Sequence, residues 1–181
     1  VAEDLWRCLA RGADMSEDDV LAFVTPWTTK TGYPLVVLGE DGSVSQRRYL
    51  ALGASALSDD DKQTSWTIPV SLLSVDAKSL SPKVERFHAR PACGAGAANA
   101  AAEALAKRLQ EIGPDTAFVL NADVDLFRVA YTEAQWRRLA QAGTAVPVRA
   151  RLAFWRDAFD LAESGDVSVA VPLELCARTM P

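Results

Sequence analysis

The sequence predicts a mainly β fold with flanking helices. It is an antiparallel β-sandwich between an N-terminal helical segment and a C-terminal α-helical segment. Three observations carry this. The apolar run Leu35-Val36-Val37-Leu38 and a β-prone run from Val44 to Leu52 flank Glu40-Asp41-Gly42-Ser43. Asp-Gly at such a joint is a hairpin signal, because Gly takes the positive φ the turn needs. Further on, Trp66, Ile68, Val70 and Leu72 alternate with Thr67, Pro69 and Ser71, the period of a half-buried strand. Both ends of the chain instead place apolar residues at helical spacing, between capping residues.

Taken in order, the first helix carries Leu5, Trp6 and Leu9 and is expected to end at Gly12. Ser16 with Asp19 resembles a capping box, followed by Val20, Phe23, Val24 and Trp27 on one helical stripe. Pro26 removes a helical N–H and is expected to kink or end that helix near Thr25. Pro69 donates no ladder hydrogen bond, which places its strand at an edge or beside a bulge. Phe118-Val119-Leu120 and Leu126 to Tyr131 read as a second hairpin about Asn121 to Asp125. Between the sheet segments, Phe87 to Gly113 holds an Ala-rich stretch with Leu105, Leu109 and Ile112 at helical spacing, stopped by Gly113-Pro114. Preceded by Pro91-Ala92-Cys93-Gly94-Ala95-Gly96, it reads as an inserted surface helix near 96–112 on a loose tether.

The C-terminal part is helical. Thr132 and Gln135 fit a capping box ahead of Trp136 and Leu139, with Gly143 as the stop. A longer helix begins near Pro147, with Val148, Leu152, Trp155, Phe159 and Ala162 as its expected apolar face and Gly165 as its end. Pro172 can open a third. So apolar a face, this late in the chain, is expected to meet further helices of a longer protein.

Composition bounds the function. A formal net charge of −5 gives no basic face for nucleic acid, and no apolar run reaches the ~20 residues that span a bilayer. Cys8, Cys93 and Cys176 are scattered and form no Cys-x-x-Cys, so they read as reduced packing thiols. The opening at Val1 shows no signal-peptide pattern. That leans towards an intracellular location and a piece of a longer protein. Each candidate for chemistry has a plainer reading. The acidic run Asp59-Asp60-Asp61 reads as a solvated loop before a cation site. His88 and Cys93 suggest a thiol–imidazole pair, but their Gly/Ala/Pro-rich setting offers no rigid scaffold. Arg128 reads as an exposed or bridging strand position before a functional cation, and the five tryptophans read as core and interdomain packing before a ligand cage. Catalytic, cofactor-binding and metal-ligating residues are all predicted to be none.

Several short pieces then resemble one family. They are Asp4-Leu5-Trp6, Trp27-Thr28 with Gly32-Tyr33-Pro34, Gln46-Arg47-Arg48-Tyr49 and Trp66-Thr67-Ile68-Pro69. Asn121 with Phe127-Arg128-Val129 and Tyr131 follows, then Arg156-Asp157-Ala158-Phe159-Asp160-Leu161-Ala162 with Gly165. In this order the chain resembles the middle of an M1-type zinc aminopeptidase. It departs from that pattern at Asp125, where the family usually has Gly, and across about Leu73 to Thr116, which has no recognised counterpart. The resemblance implies residues 1–31 as the helical tail of a catalytic domain. It implies 32–131 as an immunoglobulin- or fibronectin-like sandwich domain with the inserted helix, and 132–181 as the start of a helical C-terminal domain. It further implies a parent that removes N-terminal residues from peptides with one zinc ion, held by a His-Glu-x-x-His helix and a later Glu, beside a Gly-x-Met-Glu-Asn stretch. None of these motifs occurs here, and His88 is the only histidine.

The expected role is therefore a non-catalytic structural fragment. Zinc belongs to the parent alone, and the partners are the parent's remaining domains. The alternatives are a fragment of a non-enzymatic scaffold of the same architecture, such as the transcription-initiation subunit that resembles this family, or a free-standing interaction sandwich.

Overall fold

A computed structural model describes residues 2–53, 58–59, 63–76, 82–91, 97–113, 115–122 and 126–179. Among these, helices contribute more residues than strands, because the helices run to 16 residues and the strands to nine at most. The mainly β expectation is thereby corrected to a mixed fold of helices with two three-stranded sheets. The chain divides into two compact units, Val1–Gly32 and Tyr33–Pro181.

The first unit holds α1 (Ala2–Ala13) and α2 (Glu17–Thr29). Helix α1 passes Gly12. Its end is made by Asp14, whose φ of 54° is left-handed, and the Met15 N–H returns to the Ala10 carbonyl at 3.0 Å. Ser16 caps α2 by accepting from the Asp19 N–H, while its hydroxyl donates to the Asp19 carboxylate at 2.6 Å. The acid thus closes the box through the side chain. Pro26 does not end α2, which continues to Thr29. The Thr28 and Thr29 hydroxyls donate to the Val24 and Thr25 carbonyls, and the Lys30 N–H reaches the Pro26 carbonyl.

In the second unit β1 (Pro34–Leu38) and β2 (Val44–Arg48) form the expected hairpin, paired from Pro34 with Arg48 to Leu38 with Val44. Gly42 takes a φ of 81°, and the Asp41 carboxylate accepts the Ser43 N–H at 2.9 Å. The second strand stops at Arg48 rather than Leu52, with one further bond from the Tyr49 N–H to the Tyr33 carbonyl. β6 (Arg128–Ala130) completes this sheet on the other side of β1, and it runs parallel. The second sheet is antiparallel, with β3 (Ile68–Asp76) between β4 (Pro82–Ala89) and β5 (Thr116–Val119).

Three expectations change here. The second hairpin does not form, because β5 and β6 belong to different sheets. The Asn121 amide donates to the Phe127 carbonyl at 3.0 Å and Asn121 bridges to Ser71, so this short stretch carries the chain from one sheet to the other. The wholly antiparallel reading fails at β1–β6. β3 is neither an edge nor half-buried. It is central and buried on both faces from Val70 to Val75. Pro69 is tolerated because β5 pairs only from Leu73 to Asp76, leaving the described partner of Pro69 on the β4 side alone.

The sheets meet around a buried amide. Gln46 on β2 donates through Nε2 to the Trp66 carbonyl (2.9 Å) and the Pro91 carbonyl (2.8 Å), and its Oε1 accepts the Trp66 N–H at 2.9 Å. Gln46 is 3% exposed, and Trp66, Ile68 and Val70 are buried beside it as the alternation requires. The inserted helix α3 (Ala100–Glu111) is shorter than expected and firmly docked. Its N-cap Asn99 accepts both the Ala102 and Arg90 N–H groups and donates to the His88 carbonyl, Leu105 is fully buried, and Arg108 pairs with Glu85 at 2.9 Å. Residues 92–96 of its tether lie outside the described residues, as do Asp60 and Asp61 of the acidic run.

At the C-terminal end come α4 (Glu133–Ala142), α5 (Val148–Glu163) and α6 (Ala170–Thr179). Thr132 caps α4, but the Gln135 amide turns inward to donate to the Phe118 carbonyl at 2.9 Å. The apolar face expected on α5 lies open: Val148, Leu152 and Phe159 are exposed and Trp155 and Ala162 half-buried, as a face meant for further helices requires. The opposite side buries Ala150, Ala153, Phe154, Asp157, Ala158 and Leu161. A face of alanines lets α5 approach β6 and α6 closely, since side-chain size at the contact sets the separation. No described helix is long and apolar enough to cross a membrane.

Truncating the fully buried Trp66 to Ala should cost on the order of 3–5 kcal/mol. Leu105→Ala in the inserted helix should cost on the order of 2–5 kcal/mol, since it leaves a cavity of the same kind. Denaturant unfolding of both variants checks this, and a Leu105→Ala curve overlaying the parent would return the helix to a loose appendage.

Candidate functional site

The candidate residues from sequence do not assemble. His88 is exposed on β4, Cys93 lies outside the described residues and Asp59 is exposed. Trp66 and Trp136 are buried as packing, and Trp155 spans to α6 by donating to the Thr179 hydroxyl at 2.7 Å. Among the described residues no group of three His, Cys, Asp or Glu side chains is placed to hold a metal ion. The described residues therefore do not offer the donor set of a zinc site of the kind the resemblance implies.

What does assemble is a charged cluster between the first sheet and α5. Arg128 on β6 is 9% exposed. Its Nε donates to Asp160 at 2.5 Å and stands 3.7 Å from Asp157, and its Nη1 reaches the Phe127 carbonyl at 3.3 Å. The guanidinium lies over the Tyr33 ring, 5.1 Å from its centroid. Tyr33 stacks on Tyr49 with centroids 5.2 Å apart, and the Tyr49 hydroxyl donates to the Asp160 carbonyl at 3.1 Å. At the edge, Arg47 donates to Asp166 at 2.7 Å, and the Ser164 hydroxyl donates to the same carboxylate. The strand pair β1–β6 thus presents Tyr33 and Arg128 to one face of α5, where Asp157 and Asp160 meet them.

Burial governs the electrostatics. It raises Tyr33 above the usual phenol range and, with the Asp160 carboxylate adding to it, pushes Tyr49 up to about 12. Asp157 is fully buried, and neither oxygen has a hydrogen-bond partner of ordinary length among the described residues. Desolvation lifts its proton affinity well above the carboxylate range. Arg128, Arg156 and, at longer reach, the Val129 amide oppose this without cancelling it. Behind it Tyr131, also raised by burial, accepts the Leu120 N–H at 3.0 Å and packs edge-on against Trp136. The cluster holds no nucleophile with an activating base. It can fix the orientation of α5 on the sheet, and its chemistry is that of a clamp.

Sequence reasoning left Arg128 as an exposed or bridging strand residue, and the structure shows it buried and bridging. Sequence reasoning missed Asp157 and Asp160 as Arg128's partners. The available signal was an acid in the stripe Ala150, Ala153, Phe154, Asp157, Ala158, Leu161, where a buried charge demands a cation.

No family model matches the chain. Among curated proteins it is similar to Aminopeptidase 2 of Candida albicans (27% identical over 179 residues, 95% of this chain). It is likewise similar to the mitochondrial Aminopeptidase 2 of Saccharomyces cerevisiae (27% over 181 residues, 97% of this chain). A third relative is Aminopeptidase A of Gloydius brevicauda, 26% identical over 180 residues. The chain spans only 17%, 16% and 17% of these relatives' lengths, respectively. The likeness is to a part of a larger aminopeptidase. It runs through all the residues of the cluster, Tyr33 to Asp166.

The sign of the pH dependence follows from Asp157. The folded chain holds the Asp157 proton more tightly than the unfolded chain. The stability this gives is present at low pH and is lost as pH rises from the unfolded carboxylate range, about 4, through the folded value. Asp157→Asn removes that loss while Asp160 still neutralises Arg128. Its melting temperature relative to the parent should climb as pH rises from about 4 to about 8. A difference that stays flat across that range would show that Asp157 ionises in the fold without penalty.

Proposed function

We propose that this chain is a structural, non-catalytic part of a longer M1-type zinc aminopeptidase. In this reading, its two sheets form an immunoglobulin- or fibronectin-like sandwich that braces neighbouring domains. Residues 1–31 close the catalytic domain, 32–131 make the sandwich and 132–181 begin the helical domain. The observation that supports this best is convergence. Pieces quoted for the resemblance, far apart in sequence, meet in one cluster as Tyr33, Arg47, Tyr49, Arg128, Asp157 and Asp160, and chemistry is absent from their roles.

The brace reading has a physical basis in Arg128. A guanidinium shared between two carboxylates on α5 and an aromatic face on β1 resists both sliding and tilting, because each contact constrains a different direction. Zinc and peptide substrates belong to other segments of the longer protein in this account. A single histidine leaves no place here for a His-Glu-x-x-His helix.

The test joins two measurements on the purified chain. Arg128→Met should speed amide hydrogen exchange in α5 and α6 by at least about tenfold while the β3–β4 ladder keeps its protection. Metal analysis after mild chelation and a fluorogenic aminoacyl assay should find neither stoichiometric zinc nor turnover. Uniform loss of protection would remove the brace, and turnover that purifies with the chain would overturn the non-catalytic role.

A further inference from the structure

The geometry points to a second site, away from the Arg128 clamp: a cavity that binds a small zwitterion, a free α-amino acid with a short side chain. It lies between the Gly39–Ser43 turn, the C-terminal half of α3 and the first two turns of α4, with a volume of about 170 Å³. Pockets for drug-sized ligands run to roughly 300–1,000 Å³, whereas one water takes about 30 Å³, so this space suits a solute of a few heavy atoms.

Its lining has the complementarity a zwitterion needs. It joins the apolar Leu38, Leu109 and Phe118 with one acid, Glu40, and one base, Arg138. Among the described residues these two form no ion pair with each other. Arg138 spends one Nη1 donor on the Gln135 Oε1 at 3.3 Å, which leaves the rest of a planar guanidinium for a carboxylate. Ala134, in the first turn of α4, also lines the space, where the positive end of the helix dipole favours the same carboxylate. Glu40 is exposed and faces a cationic neighbourhood. It acts on Arg137, but Arg137 is already bonded to Glu133 at 2.7 Å, so Glu40 is available to an ammonium group. One wall is closed by contact: a Cβ at Gly42 would come within 3.0 Å of the Gln110 side chain, so turn and inserted helix already touch at the rim. A bound amino acid would bridge the inserted helix, the hairpin turn and α4, which gives the Ala-rich insertion a role that packing alone does not. This inference does not rest on the brace reading, and its outcome leaves that reading untouched.

The experiment is a titration of the isotopically labelled chain with glycine and L-alanine into the millimolar range. Saturable shifts of the Gly39, Gly42 and Gln110 amides are expected. N-acetylalanine and alanine methyl ester, each lacking one charge, should bind at least about tenfold more weakly, the cost of one lost ionic partner. Glu40→Gln and Arg138→Gln should each weaken alanine by a similar factor while the remaining spectrum stays that of the parent. The analogue series decides the matter alone if Arg138→Gln disturbs the fold. Absence of saturable shifts, equal shifts with the blocked analogues, or affinity unchanged in Glu40→Gln would each overturn the site.

Discussion

A buried positive charge sets the terms for much of the larger unit. Arg128 begins a strand only three residues long, between the buried Phe127 and Val129. An isolated guanidinium there would cost several kcal/mol in lost hydration, so the fold must bring anions to it. Asp160 supplies the direct bond, Asp157 a second charge and the Tyr33 face a third contact. Those partners in turn fix which side of α5 faces the sheet. Hence the alanine-rich side is buried, and the more hydrophobic Val148, Leu152 and Phe159 remain outside.

The cluster is over-supplied with acid, and that is informative. One carboxylate neutralises Arg128, yet two approach it, and the fully buried one has no ordinary hydrogen bond. Burial raises the Asp157 proton affinity, and the nearby Arg128 and Arg156 oppose that rise without cancelling it. Such a group adds little to stability at neutral pH. It does punish misplacement, since any movement of α5 that took Asp157 from Arg128 would leave it wholly uncompensated. Specificity of docking, rather than strength, is what a buried acid of this kind provides.

The same contrast explains what could be read from the amino acids. The β1–β2 hairpin was legible because Asp41-Gly42 states its turn chemistry locally, and the caps at Ser16, Thr132 and Gly143 were legible for the same reason. Trp66, Ile68 and Val70 were placed inside by alternation. Strand β4 gave little signal, because Pro82, Lys83, Arg86 and His88 are exposed and only Ala89 is fully buried. The false hairpin at Asn121 arose because a change of sheet and a hairpin use the same turn residues. Only the long-range partners of β5 and β6 tell them apart. The open apolar face of α5 was legible from Val148, Leu152 and Phe159, but its buried side was not, because the contact that marks it lies 32 residues away at Arg128.

Gln46 shows how little polar material is needed to join the sheets. One buried side chain takes up both the N–H and the carbonyl of Trp66 and adds the Pro91 carbonyl, so three buried backbone groups are satisfied where no ladder reaches them. Those groups lie just before β3 and just after β4, which ties the edge of the first sheet to one end of the second sheet's longest pairing, where Ile68 meets Ala89. A hydrophobic replacement of equal size would preserve the packing and strand all three groups. The inserted helix depends on this junction, because Pro91 leads into it and Asn99 closes back on His88 and Arg90. The Ala-rich segment is therefore held to the second sheet by its N-terminal end, by Arg108 and by Leu105 rather than by its own composition.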